Sequence, residues 1–466
     1  VNVLKAHNIP ALVSAVAVGL ELLAVAFVGL VPTDAAANTL APRTETEGAR
    51  PPSDDPRPVG QKLLISGGTL DDTLVGLYAE RLIADVGGSR QLRLLIVPGA
   101  SAEPTWLYSH FRRLLPLHGV PEQNIELAHI AALDDPATPV DEAEWRKGAY
   151  EPTEIDKVTR ANVVWFSGGR QERLVRLLVD GAGMESPFQQ AVAEKSSAGQ
   201  LIVAGHSAGA AVMSDPMIGG GTSLGSLSLT PDPSCLSEAA LCVRRGLGFV
   251  PPGYRVLVDQ HFTQRGRLAR LIRALASTDR QTGWGVGARA AFYVDLPHGR
   301  AEVLGVPGAA FVTVVGRDGA AANHEREGPP FAGDRYTVSV LAVGDRYDLP
   351  DSAHPHGIGR HPVADEYYAP FSSARGMRVL TDAFGGDVLT DRVAAYFADG
   401  TPQPSGPRVD ALALNIDESG AAEGFRLRFT ADQGSSVAYN SASGYSVFNA
   451  RLGISSVSAH FDGLTP

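Results

Sequence analysis

Leu201-Ile202-Val203-Ala204-Gly205-His206-Ser207-Ala208-Gly209-Ala210-Ala211-Val212-Met213 is the stretch that decides the fold. An apolar run passes through Gly-x-Ser-x-Gly into small, helix-compatible residues. A strand that enters a helix through so tight a turn leaves room only for small residues around the serine, which is raised at the C-terminal edge of a sheet, a nucleophile elbow. Ser207 is therefore the first candidate nucleophile. The backbone N–H of Ala208, at the positive end of the new helix, is a candidate for half of an oxyanion hole. A small-residue helix start with a capping serine would read the same way, so the surrounding sequence has to decide.

Upstream, short apolar runs alternate with longer amphipathic ones. Residues 63–66 end in Gly67-Gly68, 92–97 in Pro98-Gly99 and 163–167 in Gly168-Gly169, with 125–129 a weaker example. Each reads as a parallel strand ending at a loop. Residues 73–85, 106–117, 171–180 and 187–196 carry apolar side chains at helical spacing. This rhythm predicts an α/β fold: a doubly wound, mostly parallel sheet with helices on both faces. Its ligand site should lie beyond the carboxyl ends of the strands, where Ser207 and Gly168-Gly169 fall.

Downstream, Val256-Leu257-Val258-Asp259-Gln260-His261-Phe262-Thr263-Gln264-Arg265-Gly266-Arg267 reads as a strand running into polar residues and then a helix with Leu268, Leu271, Ile272 and Leu275 inward. Because side chains alternate along a strand, Asp259 and His261 project to one side and Gln260 to the other. A histidine here can take the proton from Ser207 and return it to a leaving amine. Arg265, Arg267 and Arg270 cluster directly after it.

With 466 residues, 44% of them hydrophobic and 20% charged, the chain can bury a large core and divide into more than one domain. A net charge of −11 without a basic run excludes nucleic acid as the natural partner and leaves a small or peptidic ligand. Lys5 and His7 precede an apolar stretch, 11–31, broken by Ser14 and Glu21, and Ala35-Ala36-Ala37 offers a cleavage site. Residues 1–37 are thus expected to be a signal peptide, or an uncleaved membrane anchor, and 38–60 a flexible linker. The protein is expected to be secreted or periplasmic, or membrane-anchored.

Cys235 and Cys242 have the spacing of neither a redox pair nor a zinc cluster; a short-loop disulfide or two buried thiols on a helical face both fit. His354, His356 and His361 lie among Pro and Gly without carboxylate or cysteine partners and read as loop, so neither a metal nor an organic cofactor is expected. Residues 301–349 read as strands completing a domain over 61–349. Residues 350–466 read as a small β-rich C-terminal extension, in which Phe425-Arg426-Leu427-Arg428-Phe429 alternates as a half-buried strand does.

Taken together, five blocks resemble cyanophycinase and its relatives, the serine peptidase group that includes dipeptidase E. They are Ile65-Ser66-Gly67-Gly68, Ile96-Val97-Pro98-Gly99-Ala100-Ser101, Phe166-Ser167-Gly168-Gly169-Arg170-Gln171, the Ser207 segment and Asp259 to Arg267. The resemblance implies a class I glutamine amidotransferase-like fold with Ser207 as nucleophile and His261 as base. It implies oxyanion donors at Gly169 and Ala208, and Gln171, Asp259, Gln260, Arg265, Arg267 and Arg270 around the substrate. The implied activity is release of β-aspartyl-arginine dipeptides from cyanophycin, a polyaspartate bearing arginine on its side chains. A peptide is then the expected partner, with a homodimer one option for assembly.

Departures from the pattern accompany the match. Relatives usually read Gly-Thr-Ser-Ala-Gly, whereas His206 stands here for the threonine. An acidic pair, whose glutamate is expected to orient the histidine, is replaced in Gly285-Val286-Gly287-Ala288-Arg289-Ala290, and a second acidic position appears as Thr222. Asp259, Asp232 and Glu238 are the substitutes to consider, the last two in the cysteine-bearing insertion, which as a stapled flap could bring Glu238 to His261. The alternatives are a dipeptidase or esterase of other specificity on the same fold, or a catalytically impaired peptide-binding relative.

Overall fold

Every residue of strands β1 (Lys62–Ser66), β2 (Leu94–Val97), β4 (Val163–Phe166) and β5 (Ile202–His206) is buried save Lys62, and β3 (Ile125–Leu127) is the shallow member. In the computed structural model these five are parallel, in the order β1-β5-β4-β2-β3. Strands buried on both faces read as continuous apolar runs. Alternate residues divide between the faces. Leu63, Ile65, Val97, Phe166 and Val203 pack with Leu174, Phe188 and Val192, while Leu64, Ile96, Trp165 and Ile202 pack with Leu74, Tyr78 and Phe111. Each such large side chain contributes roughly 1.5–3 kcal/mol on burial.

The helices on the second face are α1 (Asp72–Val86) and α2 (Trp106–Leu114). On the first lie α3 (Pro152–Arg160), α4 (Gln171–Leu178) and α5 (Pro187–Ser197). Their ends follow local rules: Asp71 accepts from Leu74 N at the start of α1, Gly87 closes it in a left-handed conformation, and Ser186 accepts from Gln189 N to open α5. The described residues are 59–316, 330–349, 360–361, 378–380, 383–394, 408–416, 421–430, 435–440 and 444–460. The expected leader, all but two residues of the expected linker, His354 and His356 lie outside them.

After α6 (Ala208–Ala211), a hairpin of β6 (Met217–Gly220) and β7 (Cys242–Arg244) encloses α7 (Ser223–Ser228). Then follow β8 (Val256–Asp259), α8 (Leu268–Ala276), β9 (Thr282–Val286), β10 (Ala290–Asp295), β11 (Arg300–Gly305), β12 (Ala310–Gly316), β13 (Gly333–Ala342) and β14 (Arg346–Asp348). Last come β15 (Arg360–His361), β16 (Arg378–Leu380), β17 (Arg408–Ile416), β18 (Ala421–Thr430), β19 (Ser436–Asn440) and β20 (Gly444–His460). His361 thus lies on a two-residue strand rather than in a loop.

The expectation of a mostly parallel sheet needs correction. β10, β11, β14 and β15 extend the parallel strands antiparallel from β1 into a nine-stranded mixed sheet. β8 and β9 do not join it. They begin a second nine-stranded sheet, β8-β9-β12-β13-β20-β18-β17-β16, with β19 alongside β20, in which the pairs β8–β9 and β16–β17 are parallel. Val256, Val258, Trp284, Val286 and Phe311 pack into the same core as the parallel strands. The opposite face takes α8 and the C-terminal strands, with Leu257, Val312, Val338, Phe425, Leu427 and Phe429 together. Strands from beyond residue 400 are therefore annealed directly to β13 by β20.

Candidate active site

The turn between β5 and α6 places Ser207 at φ 52°, ψ −111°, a conformation that L-residues rarely adopt. Both flanking glycines are obligatory: a Cβ on Gly205 would lie 2.6 Å from Gly209 O, and one on Gly209 2.2 Å from Phe166 O. Ser207 N–H donates to Ser66 O at 3.1 Å, tying the turn to the end of β1.

His261 reaches this serine from the second sheet. Its Nε2 lies 3.1 Å from Ser207 Oγ. The expected strand alternation does not extend to it: β8 stops at Asp259, and His261 turns to φ 45° with its N–H on Gly67 O at 2.8 Å. Asp259 and His261 consequently diverge. The imidazole lies against Gly68, where an added Cβ would be 2.1 Å from Cε1 and 2.3 Å from Nε2. Burial, then the charges of Arg265 and Arg267, lower the His261 pKa to about 4, with Asp259 opposing. The ring is thus a free base at neutral pH. Among the described residues its Nδ1 has no hydrogen-bond partner.

The Gly168-Gly169 turn borders the serine on the other side. Gly169 has φ 132°, and a Cβ there would stand 2.0 Å from Ala100 O, the carbonyl that also accepts from Arg170 N and Arg173 Nη1 at 3.0 and 3.1 Å. Gly168 N–H donates to His206 Nε2 at 3.0 Å. Among the described residues neither Gly169 N–H nor Ala208 N–H donates to a protein acceptor, leaving both for a ligand oxygen.

The other candidates separate into two groups. Arg270 is buried and grips Asp259 with two bonds, Nε–Oδ2 at 2.9 Å and Nη2–Oδ1 at 2.5 Å, and also donates to Gly221 O at 2.8 Å. Arg267 donates to Gln260 O at 2.5 Å and to Asp259 at 3.5 Å. Asp259, Arg267 and Arg270 therefore form a structural ion network beneath the site. Gln260 is buried and its Oε1 has no partner among the described residues. Arg265, by contrast, is exposed, and its guanidinium makes no hydrogen bond or ion pair among the described residues. Gln171 donates to Ile218 O and Gly219 O at 3.2 and 3.1 Å, so β6 holds it.

The proposed substitute acids are placed as follows. Cys235 and Cys242 form a disulfide with Cα atoms 5.2 Å apart. Just ahead of that loop, Asp232 accepts from the Ser234 hydroxyl and from the Ser234, Leu236 and Ser237 N–H groups; the hydroxyl foremost, then the N–H groups, lower its pKa to about 2 and commit it to this segment. Glu238 is exposed and makes no side-chain hydrogen bond or ion pair among the described residues. Neither is bonded to His261.

Two features escaped sequence reasoning. Asp387, far downstream, accepts from Gln264 Nε2 at 3.1 Å and donates its N–H to Thr263 O at 2.8 Å, while Gln264 Oε1 accepts from Ala288 N at 2.6 Å. A C-terminal carboxylate thus braces the turn that carries His261. Gly68 was visible only as half of a glycine pair after a strand; its role depends on a ring arriving from two hundred residues away.

No family model matches the chain. It is 28% identical over 293 residues to the cyanophycinase of Geminocystis herdmanii, covering 61% of this chain and 93% of that protein. It is 30% identical over 300 residues to the cyanophycinase of a Nostoc species, covering 63% and 87%. Against the cyanophycinase of Thermosynechococcus vestitus it is 30% identical over 292 residues, covering 62% and 79%. Among solved structures it is similar to a peptidase from an acI-B1 Actinobacterium, at 18% identity and a TM-score of 0.36, covering 55% of this chain and 89% of that one. The likeness to the cyanophycinases marks this mixed α/β chain as a hydrolase of the peptidase class. It belongs to the cyanophycinase family.

Proposed function

We propose that the chain is an exported, cyanophycinase-like serine exopeptidase that hydrolyses cyanophycin or related aspartyl peptides to dipeptides through an acyl-enzyme on Ser207. The observation that carries this reading is the 3.1 Å approach of His261 Nε2 to Ser207 Oγ at a strand-to-helix turn. Ser207 Oγ attacks the scissile carbonyl while its proton passes to His261 Nε2. The carbonyl oxygen becomes an oxyanion received by the Gly169 and Ala208 N–H groups. The imidazolium returns its proton to the departing amine, and water, deprotonated by the same ring, releases the acyl group. Arg265 suits a substrate carboxylate, because a guanidinium can hold it with two bonds. The apolar leader read in residues 1–37 and the Cys235–Cys242 bond favour export.

The Nδ1 of His261, without a hydrogen-bond partner among the described residues, favours a second reading, a peptide-binding relative of reduced activity, since an orienting acid is worth about 10⁴ in turnover in the serine-protease template. Incubation with purified cyanophycin separates the two. Release of β-aspartyl-arginine that disappears in Ser207→Ala supports the enzyme, whereas binding without release supports the relative.

A further inference from the structure

His206 is a titratable group that the mechanism leaves unused, one residue from Ser207. Its ring is buried, 7% exposed, and burial lowers its pKa to about 3, so it is neutral under ordinary conditions. A neutral imidazole has one N–H and one lone pair. Two donors nevertheless face it: the Trp165 indole N–H lies 3.0 Å from Nδ1, and the Gly168 amide N–H lies 3.0 Å from Nε2. Only one can be accepted at a time. With the ring proton on Nδ1 the lone pair serves Gly168; with it on Nε2 the lone pair serves Trp165.

The two donors differ in what they hold. Trp165 is fixed in the core, 6.2 Å from Tyr78 and 5.0 Å from Phe111 by ring centroid. Gly168 opens the turn whose next N–H, that of Gly169, meets no protein acceptor among the described residues and can receive a ligand oxygen. Ring and turn are in tight contact, since a Cβ on Gly168 would stand 2.7 Å from His206 Nε2 and 3.4 Å from Ser207 Cβ. The height of the turn over the serine is therefore set by this imidazole.

We propose that His206 is a positioning residue: through Nε2 it anchors the Gly168 N–H and thereby aims the Gly169 N–H at the oxyanion formed on Ser207, with Trp165 competing for the same lone pair. The inference rests on Ser207 being the nucleophile, and the test keeps the two apart. The full chain is treated with a fluorophosphonate probe, whose reaction develops charge on a phosphoryl oxygen in the same place, and the labelling rate is measured beside the thermal midpoint of each variant. The proposal expects His206→Leu and His206→Asn to label roughly 10–100-fold more slowly than the wild type, and His206→Gln, whose longer amide reaches Gly168, to stay within about threefold. Trp165→Phe, which removes the competitor, labels at least as fast as the wild type. Equal rates for His206→Gln and His206→Asn would overturn the proposal, and that pair decides even if His206→Leu does not fold. Trp165→Phe labelling slower than wild type at an unchanged midpoint would overturn the competition. Labelling undiminished in Ser207→Ala would instead remove the reading of Ser207 on which the inference rests.

Discussion

Gly68 offers the sharpest test of how the base is held. A Cβ placed on it would lie 2.1 Å from Cε1 and 2.3 Å from Nε2 of His261, where ordinary contact begins near 3.4 Å. In Gly68→Ala the ring has to shift by about 1.3 Å, a displacement large against the narrow range of distances and angles that keeps Nε2 bonded at 3.1 Å to Ser207 Oγ. Misplacing a catalytic group by about 1 Å can lower turnover roughly 10²-fold, and complete loss of general-base assistance roughly 10²–10⁴-fold. The backbone adds its own penalty, because φ is 149° at this position; an alanine there costs about 1–3 kcal/mol. Gly68→Ala should therefore stay folded, with a somewhat lower thermal midpoint, and lose at least about two orders of magnitude in kcat/KM. Paired measurements of dipeptide release and calorimetric unfolding give both numbers. A folded Gly68→Ala protein with wild-type kcat/KM would refute the placement of the His261 ring.

Three further predictions concern charge. Because burial and Arg265 lower the His261 pKa to about 4, kcat/KM should rise with pH through about 4 and be level by neutrality; an acid limb centred near 6.5 would contradict the site's electrostatics. His206 is held neutral in the folded state with a pKa of about 3, while the unfolded chain binds a proton below about 6.5. Its contribution to stability is unchanged above pH 6.5 and declines below it, by about 3 kcal/mol at pH 4.5, so the loss of unfolding free energy in urea between pH 7 and 4.5 should be larger for the wild type than for His206→Gln by roughly that amount. Asp259→Ala leaves Arg270 buried without its bidentate partner and should cost about 3–5 kcal/mol in unfolding free energy. Stability unchanged by Asp259→Ala would instead assign Asp259 to the substrate.

The parallel half of the first sheet was legible because its strands other than β3 are apolar runs closed by glycine or proline, and α1, α2, α4 and α5 show their inward faces in local spacing, whereas β3 carries Glu126 and α3 was not read from the sequence. Ser207 was legible for the same reason: its turn is encoded entirely within 205–209. The second sheet was not. Its central pairing joins Tyr336 to Leu452 and Val338 to Ala450, and nothing local specifies a register between strands more than a hundred residues apart. Assigning Asp259 and His261 to one side failed because alternation holds only while backbone pairing continues, and β8 ends at Asp259. The arginines show a related limit. Arg265 and Arg270 look alike in sequence, yet the inward face of α8 buries Arg270 against Asp259 and leaves Arg265 exposed. Asp387 reaches the His261 turn from a segment whose sequence has no visible tie to it.

The most direct test of the central claim is to quench the enzyme during turnover of cyanophycin and map the covalent adduct by peptide mass spectrometry. The account predicts an aspartyl acyl group on the peptide that contains Ser207, absent from Ser207→Ala, together with loss of dipeptide release in that variant. Hydrolysis that continues in Ser207→Ala, or an adduct on another residue, would contradict it.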